Sequence, residues 1–262
     1  VDFLDFRDYL IPASGFQSLQ FRLIENRLGV SVRGRPLIDG ASYASRFTEE
    51  DRRRLRASET EPSLFDHLER WLERTPFLNL GSFDFWREYR NAVEAMLASD
   101  RRLIESNPTL SGEERTAQLK VLEATADQFD ALLDKDKYDA LVETHEPRLS
   151  HRALQAALLI NLYRDEPILQ LPFRLLTRLM DIDEGFTTWR YRHSLMALRM
   201  IGTKIGTGGT SGHEYLRRSA EQSKVFTDLF NLSTFFLPRS AIPRLPPEVE
   251  RTMGFHFTGE SD

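Results

Sequence analysis

Residues 189–215 read WRYRHSLMALRMIGTKIGTGGTSGHEY, and the reading of this stretch sets the terms for the rest of the chain. At about 3.6 residues per turn, Trp189, His193, Met196, Ala197 and Met200 fall on one side of a helix. The helix runs out into Gly206-Thr207-Gly208-Gly209-Thr210-Ser211-Gly212. There the missing side chains let backbone amides come close to a polar or anionic group. A phosphate-loop reading of these glycines fails, because no strand precedes them and the order G-x-x-x-x-G-K-[ST] is missing. A surface turn and a lid that orders on ligand both remain open.

Working outward, almost every periodic segment has helical spacing. Phe16, Leu19 and Leu23, with Gly29 as a stop, predict a first amphipathic helix after Pro12. Residues 30–47 hold Gly34, Pro36 and Gly40 without clear periodicity and read as a connecting loop. Ser63–Glu73 and Phe83–Asp100 predict helices with Trp71 and Trp86 on their buried sides. Ser111 and Glu114 form a capping-box pattern that opens a charged helix running to about Leu133, folded back on its predecessor as a hairpin. Ser150 opens another helix, with Leu154, Ala157, Leu158 and Leu162 in register. Pro172 is placed as a first-turn proline, and Phe173, Leu176, Leu179 and Met180 continue the apolar face. The fold expected is a single all-α domain over 1–262. Within it, 239–262, rich in proline, forms a loosely packed tail.

Composition removes several function classes. The 262 residues contain no cysteine, so disulfides, thiolate catalysis and Cys-ligated zinc or iron–sulfur sites are excluded. Forty acidic residues against 35 basic give a net charge of −5 with no long single-sign block. The densest basic spot, RRRLR at 52–56, is flanked by acidic residues and reads as a solvated helix face, so no nucleic-acid partner is expected. No apolar run approaches the roughly 18–20 residues that a membrane span requires. No secretory signal is visible, and a cytoplasmic protein is expected.

Of the six histidines, none forms an H-E-x-x-H pair or another metal-binding spacing. His193 has two readings. It is a core histidine satisfied by a neighbour, or it is the single axial ligand of a flat, largely apolar cofactor such as haem, with Trp189 one turn earlier packing on its ring. Arg7, in DFRDYL, is a surface arginine or, among Phe3, Phe6, Tyr9 and Leu10, a pocket guanidinium able to fork onto a carboxylate. His213 follows the Gly-rich loop, and the remaining histidines read as surface residues.

Three motifs taken together carry a resemblance. FRDYLIPASGFQSLQFRLIENRLG (6–29), the 189–215 stretch, and DLFNLSTFFLP (228–238) closely resemble the tryptophan 2,3-dioxygenase family, especially its animal-type branch, over nearly the whole chain. The resemblance implies a helical-bundle haem protein in which about 60–145 is an inserted, peripheral helical unit and His193 is the proximal ligand of haem b, one per subunit. It implies that Arg7 holds the α-carboxylate of L-tryptophan, that Thr207 contacts its ammonium, and that Phe3 and Leu10 line the indole site. Ser14 then stands at the edge of the haem pocket. Trp189, Arg22, Gly208 and Gly209 fall on the cofactor side, Arg22 as a candidate for neutralising a propionate. Thr210 departs from the usual serine but keeps the hydroxyl.

The activity so implied inserts O2 across the indole C2–C3 bond to give N-formylkynurenine, the first step of the kynurenine pathway, in a cytoplasmic homotetramer. Family members carry a substantial N-terminal region before the first motif, and their distal histidine lies there. The chain opens at Val1, without a methionine, and by residue 3 is already inside a stretch that resembles the family. The expectation is therefore a chain lacking that region, with no catalytic residue of its own beyond the binding groups. Two alternatives stand beside this one: a haem mono-oxygenase of a tryptophan derivative or another aromatic amino acid, and an inactive helical scaffold fragment.

Overall fold

The computed structural model describes residues 19–30, 48–75, 83–143, 147–202 and 224–254, without the side chains of residues 19–22, 197, 200 and 201. Among the described residues the regular structure is helical and no strand forms, as the all-α reading expects. The helices are α1 (Leu19–Leu28), α2 (Glu49–Thr60), α3 (Leu64–Glu73), α4 (Phe85–Ser106) and α5 (Gly112–Leu133). After them come α6 (Lys135–Glu143), α7 (His151–Leu162), α8 (Pro167–Ile201), α9 (Thr227–Asn231) and α10 (Pro247–Met253). Two short 3₁₀ turns, Leu232–Phe235 and Arg239–Ala241, join α9 to α10.

The chain divides into two compact units. The first comprises Val1–Leu68 and Arg178–Thr227, the second Glu69–Thr177 and Asp228–Asp262, so α3, α8 and the first residue of α9 fall across the division. In the first unit α1 packs on α2. Asn26 Nδ2 donates to Ser58 Oγ at 2.8 Å, and that hydroxyl donates to the carbonyl of Leu55 at 2.7 Å. Helix α1 stops at Gly29, where φ is +89°. Only glycine takes that left-handed conformation without strain. A Cβ there would also stand 2.5 Å from Ser63 Oγ, so the glycine lets α1 end hard against the start of α3. Ser63 caps α3, receiving the Asp66 amide at 3.2 Å while its own amide donates to the Asp66 carboxylate at 2.7 Å. In α2, Arg52 and Arg56 of the basic run both bond the carboxylate of Glu49 at 3.0 Å, and Leu55 alone of that run is buried.

The second unit is built round α7, whose residues Ala153, Leu154 and Ala156 to Ile160 are all buried. A helix apolar nearly all round belongs in the middle of a core. Helices α4 and α5 form the expected hairpin, and the Ser111–Glu114 capping box is present in full. Three tyrosines fasten the periphery: Tyr89 donates to the Phe235 carbonyl at 2.6 Å, Tyr138 to Leu149 at 3.1 Å and Tyr163 to Pro243 at 2.6 Å. Asp228 accepts from the amides of Arg148 and Leu149, both at 2.7 Å, and α7 is capped by Ser150. In the stretch expected to be a loosely packed tail, Leu245 and Met253 are buried, and residues 255–262 lie outside the described part.

Some expectations need correction. Helix α8 begins at Pro167, not near Pro172. Pro167 takes the first-turn position that suits a proline, and Pro172 lies inside the helix, where its missing N–H leaves the Ile168 carbonyl without its usual donor. The helix then runs unbroken past Gly185 to Ile201. Trp71 and Trp86 are only half-buried, because the inward arcs centre on Leu68 and Leu72 in α3 and on Phe85, Tyr89 and Val93 in α4. His151, read as a surface residue, is half-buried, with Nε2 2.6 Å from the Leu132 carbonyl and its ring 5.2 Å from Tyr138. The loop assigned to 30–47 lies outside the described residues except at Val30.

Candidate active site

The C-terminal half of α8 has two faces about a quarter turn apart. Leu179, Asp183, Arg190 and Ser194 recur at spacings that share a side, and all are buried. Ile182, Phe186, Trp189, His193 and Met196 form a second stripe, on which Ile182, Trp189 and Met196 are 41%, 48% and 51% exposed. His193 stands at the border of the two and is half-buried. Its ring lies parallel to that of Trp189, with centroids 5.2 Å apart and planes within 3°. Phe186 continues the aromatic row at 6.4 Å from Trp189.

Burial holds the His193 imidazole below the ordinary histidine range. It is therefore neutral at neutral pH and carries a ring lone pair free for coordination. No described residue hydrogen-bonds either ring nitrogen. This is unlike a core histidine, which is satisfied by a neighbour, as His151 is.

The buried face holds this helix in place. Arg190 and Glu25 of α1 form an ion pair whose side chains are 4% and 5% exposed. The Arg190 guanidinium also lies 5.7 Å from the Phe186 ring centroid. The Asp183 carboxylate accepts from the amides of Val225 at 3.0 Å and Phe226 at 2.9 Å. Phe226 in turn stacks on Phe65 of α3 at 6.5 Å. The Ser194 hydroxyl, fully buried, is spent on the Tyr191 carbonyl at 2.8 Å. Sequence reasoning missed Arg190, Asp183 and Glu25. The only local signal was that charged residues recur on one side of α8, and a charged stripe reads as solvated unless its partners are known.

Among the described residues no group of three or more His, Asp or Glu side chains is arranged to hold a bare metal ion. A lone neutral imidazole beside an apolar stripe suits a metal whose other ligands come from a macrocycle, and so it fits haem. The stripe offers the flat aromatic and thioether surface such a group needs. Of the other site residues, Arg22 lies on α1 with its side chain outside the description. Phe3, Arg7, Leu10, Ser14, Thr207, Gly208 and Gly209 are outside the described residues altogether, as is His213.

Comparison with known proteins bears on what this helix serves. The family model described as tryptophan 2,3-dioxygenase matches residues 1–236. A tryptophan 2,3-dioxygenase of Bdellovibrio bacteriovorus is 49% identical over 98% of this chain and 72% of its own length. One of Alteromonas mediterranea is 47% identical over 97% of the chain and 70% of its own length. One of Dictyostelium discoideum is 46% identical over 98% of the chain and 65% of its own length. The chain thus spans about two thirds to three quarters of these relatives. With the match running through α1, the length of α8 and the segment that Asp183 holds, the chain belongs to the tryptophan 2,3-dioxygenase family of enzymes.

Proposed function

We infer that the chain catalyses the dioxygenation of L-tryptophan to N-formylkynurenine, entering the kynurenine pathway, with one haem b per subunit ligated by His193. The observation that carries this reading is the neutral, half-buried imidazole of His193 on an apolar stripe, in a chain of this family. Haem, when bound, supplies the redox chemistry of dioxygen.

The chain's own residues do the rest. Trp189, parallel to the imidazole, limits how far the ring can turn. Phe186 and Met196 present apolar surface that keeps water from the cofactor side. Arg7 takes the substrate carboxylate in two parallel charge-assisted hydrogen bonds, and the Thr207 hydroxyl accepts from its ammonium. Phe3 and Leu10 wall the indole, Ser14 stands at the cofactor's edge, and Arg22 with the amides of Gly208 and Gly209 meets its propionates. Fixing both ends of the amino acid this way sets the indole C2–C3 bond where both oxygen atoms enter and that bond breaks. The working enzyme is a cytoplasmic homotetramer in this reading. No helix among the described residues is long and apolar enough to cross a membrane.

Product mass tests the reaction. Haem-loaded, reduced chain given L-tryptophan and O2 is expected to yield the substrate mass plus two oxygens. A gain of one oxygen makes it a mono-oxygenase, and loaded chain that binds tryptophan without product overturns the reading. Arg7→Ala tests the carboxylate site separately. It is expected to lower kcat/KM on the order of 100-fold, mainly through KM, with haem content unchanged. An unchanged KM would move the carboxylate elsewhere.

A further inference from the structure

The rotation of α8 about its own axis decides where the His193 ring stands. A ring nitrogen of that side chain lies roughly 6–7 Å from the axis, so each ten degrees of rotation carries it roughly 1 Å. A ligating group has to be held within about 0.5 Å of its working position. The apolar stripe is a poor hold, since Ile182, Trp189 and Met196 are about half exposed. Leu179, on the buried face, packs without a preferred direction. Arg190, three residues before the histidine, supplies a directional contact instead, its ion pair with Glu25 of α1.

We propose that Arg190, held by Glu25, is a positioning residue for His193, on the reading above of that histidine as the haem ligand. Two routes join them. One is the helix backbone: less than a turn separates the two residues, so whatever fixes Arg190 fixes the turn that bears the imidazole. The other is a row of rings. The guanidinium lies 5.7 Å from the centroid of Phe186, Phe186 lies 6.4 Å from Trp189, and Trp189 is stacked parallel on His193 at 5.2 Å. The guanidinium is thus held between a carboxylate and a ring face, and that ring begins the row that ends at the imidazole. A planar guanidinium serves both contacts at once, whereas a lysine ammonium is a point charge on a flexible stem.

Stability alone does not account for the pair. Its side chains are 4% and 5% exposed, so both ions have given up their water, and the attraction between them does little more than offset that loss. An apolar pair of similar volume would hold the two helices together as well. What it would not reproduce is the direction of the contact, and with it the rotational setting of α8.

The test is Glu25→Leu combined with Arg190→Met, which removes both charges together and leaves no ion buried alone. The haem-loaded, ferrous chain is compared with wild type by resonance Raman spectroscopy of the iron–histidine stretch, and by kcat and KM for L-tryptophan. The double variant is expected to keep its far-UV circular dichroism and a histidine-ligated haem, with the iron–histidine band displaced and broadened. Its kcat should fall on the order of tenfold while KM stays within about twofold. Arg190→Lys, which keeps the charge and loses the planar fork, should displace the band less, and it serves as the test if the double variant does not fold. Arg178→Gln, which breaks the exposed pair with Asp181 on the same helix, should leave the band where it is. A wild-type band in the folded double variant, or in Arg190→Lys, overturns the positioning role. Absence of an iron–histidine band from the wild-type chain overturns the reading of His193 itself, and this role with it.

Discussion

His193→Ala is expected to leave the chain folded and unable to retain haem through gel filtration. The substitution removes the one donor nitrogen that faces the apolar stripe of α8, and among the described residues no second histidine stands on that stripe. The fold should survive because the imidazole is half-buried, takes part in no described hydrogen bond, and contributes a single stack on Trp189. Losing such a stack costs about 0.5–1.5 kcal/mol, well inside the stability of an ordinary domain. Added imidazole should restore a histidine-like Soret band by occupying the space the side chain left. A histidine-ligated spectrum in the variant without added imidazole would falsify the ligand assignment.

Arg190→Ala has the larger expected effect on stability, a loss of about 3–5 kcal/mol. The reason is the carboxylate it abandons: Glu25 is 4% exposed, and its charge would be left buried without the guanidinium that faces it. The pair itself contributes much less than this, because both ions were stripped of water to form it. Glu25→Leu combined with Arg190→Met should therefore recover most of the loss, and urea unfolding followed by circular dichroism measures both. A loss under about 1 kcal/mol in the single variant would mean that water reaches the carboxylate, and the pair would rank with surface salt bridges.

The parts of this fold legible in the sequence are those with local causes. Gly29 announces its stop within α1, Ser111 and Glu114 are three residues apart, and Ser150 directly precedes an apolar run. The ties that hold α8 are of another kind. Glu25 and Arg190 are 165 residues apart, and Asp183 reaches amides 42 and 43 residues away, so no window of sequence contains both partners. Pro172 misled for the opposite reason: its local signal is a helix start, and the packing of Leu169, Leu176 and Leu179 outweighs one lost hydrogen bond. At the site, His193 was legible as a histidine on an apolar face. Arg7, between Asp5 and Asp8, and Thr207, in a run of glycines, are each open to a surface reading, and the roles expected of them come from the resemblance.

The amide-to-carboxylate bonds at Asp183 and Asp228 bear on how the family can vary. The chain beyond Lys224 is secured by those two carboxylates and by the buried side chains of α9 and the turns after it. Loss of either carboxylate would take the acceptor from two backbone amides at once, so the placement of this segment is inherited through two residues distant from it or from its partners in sequence.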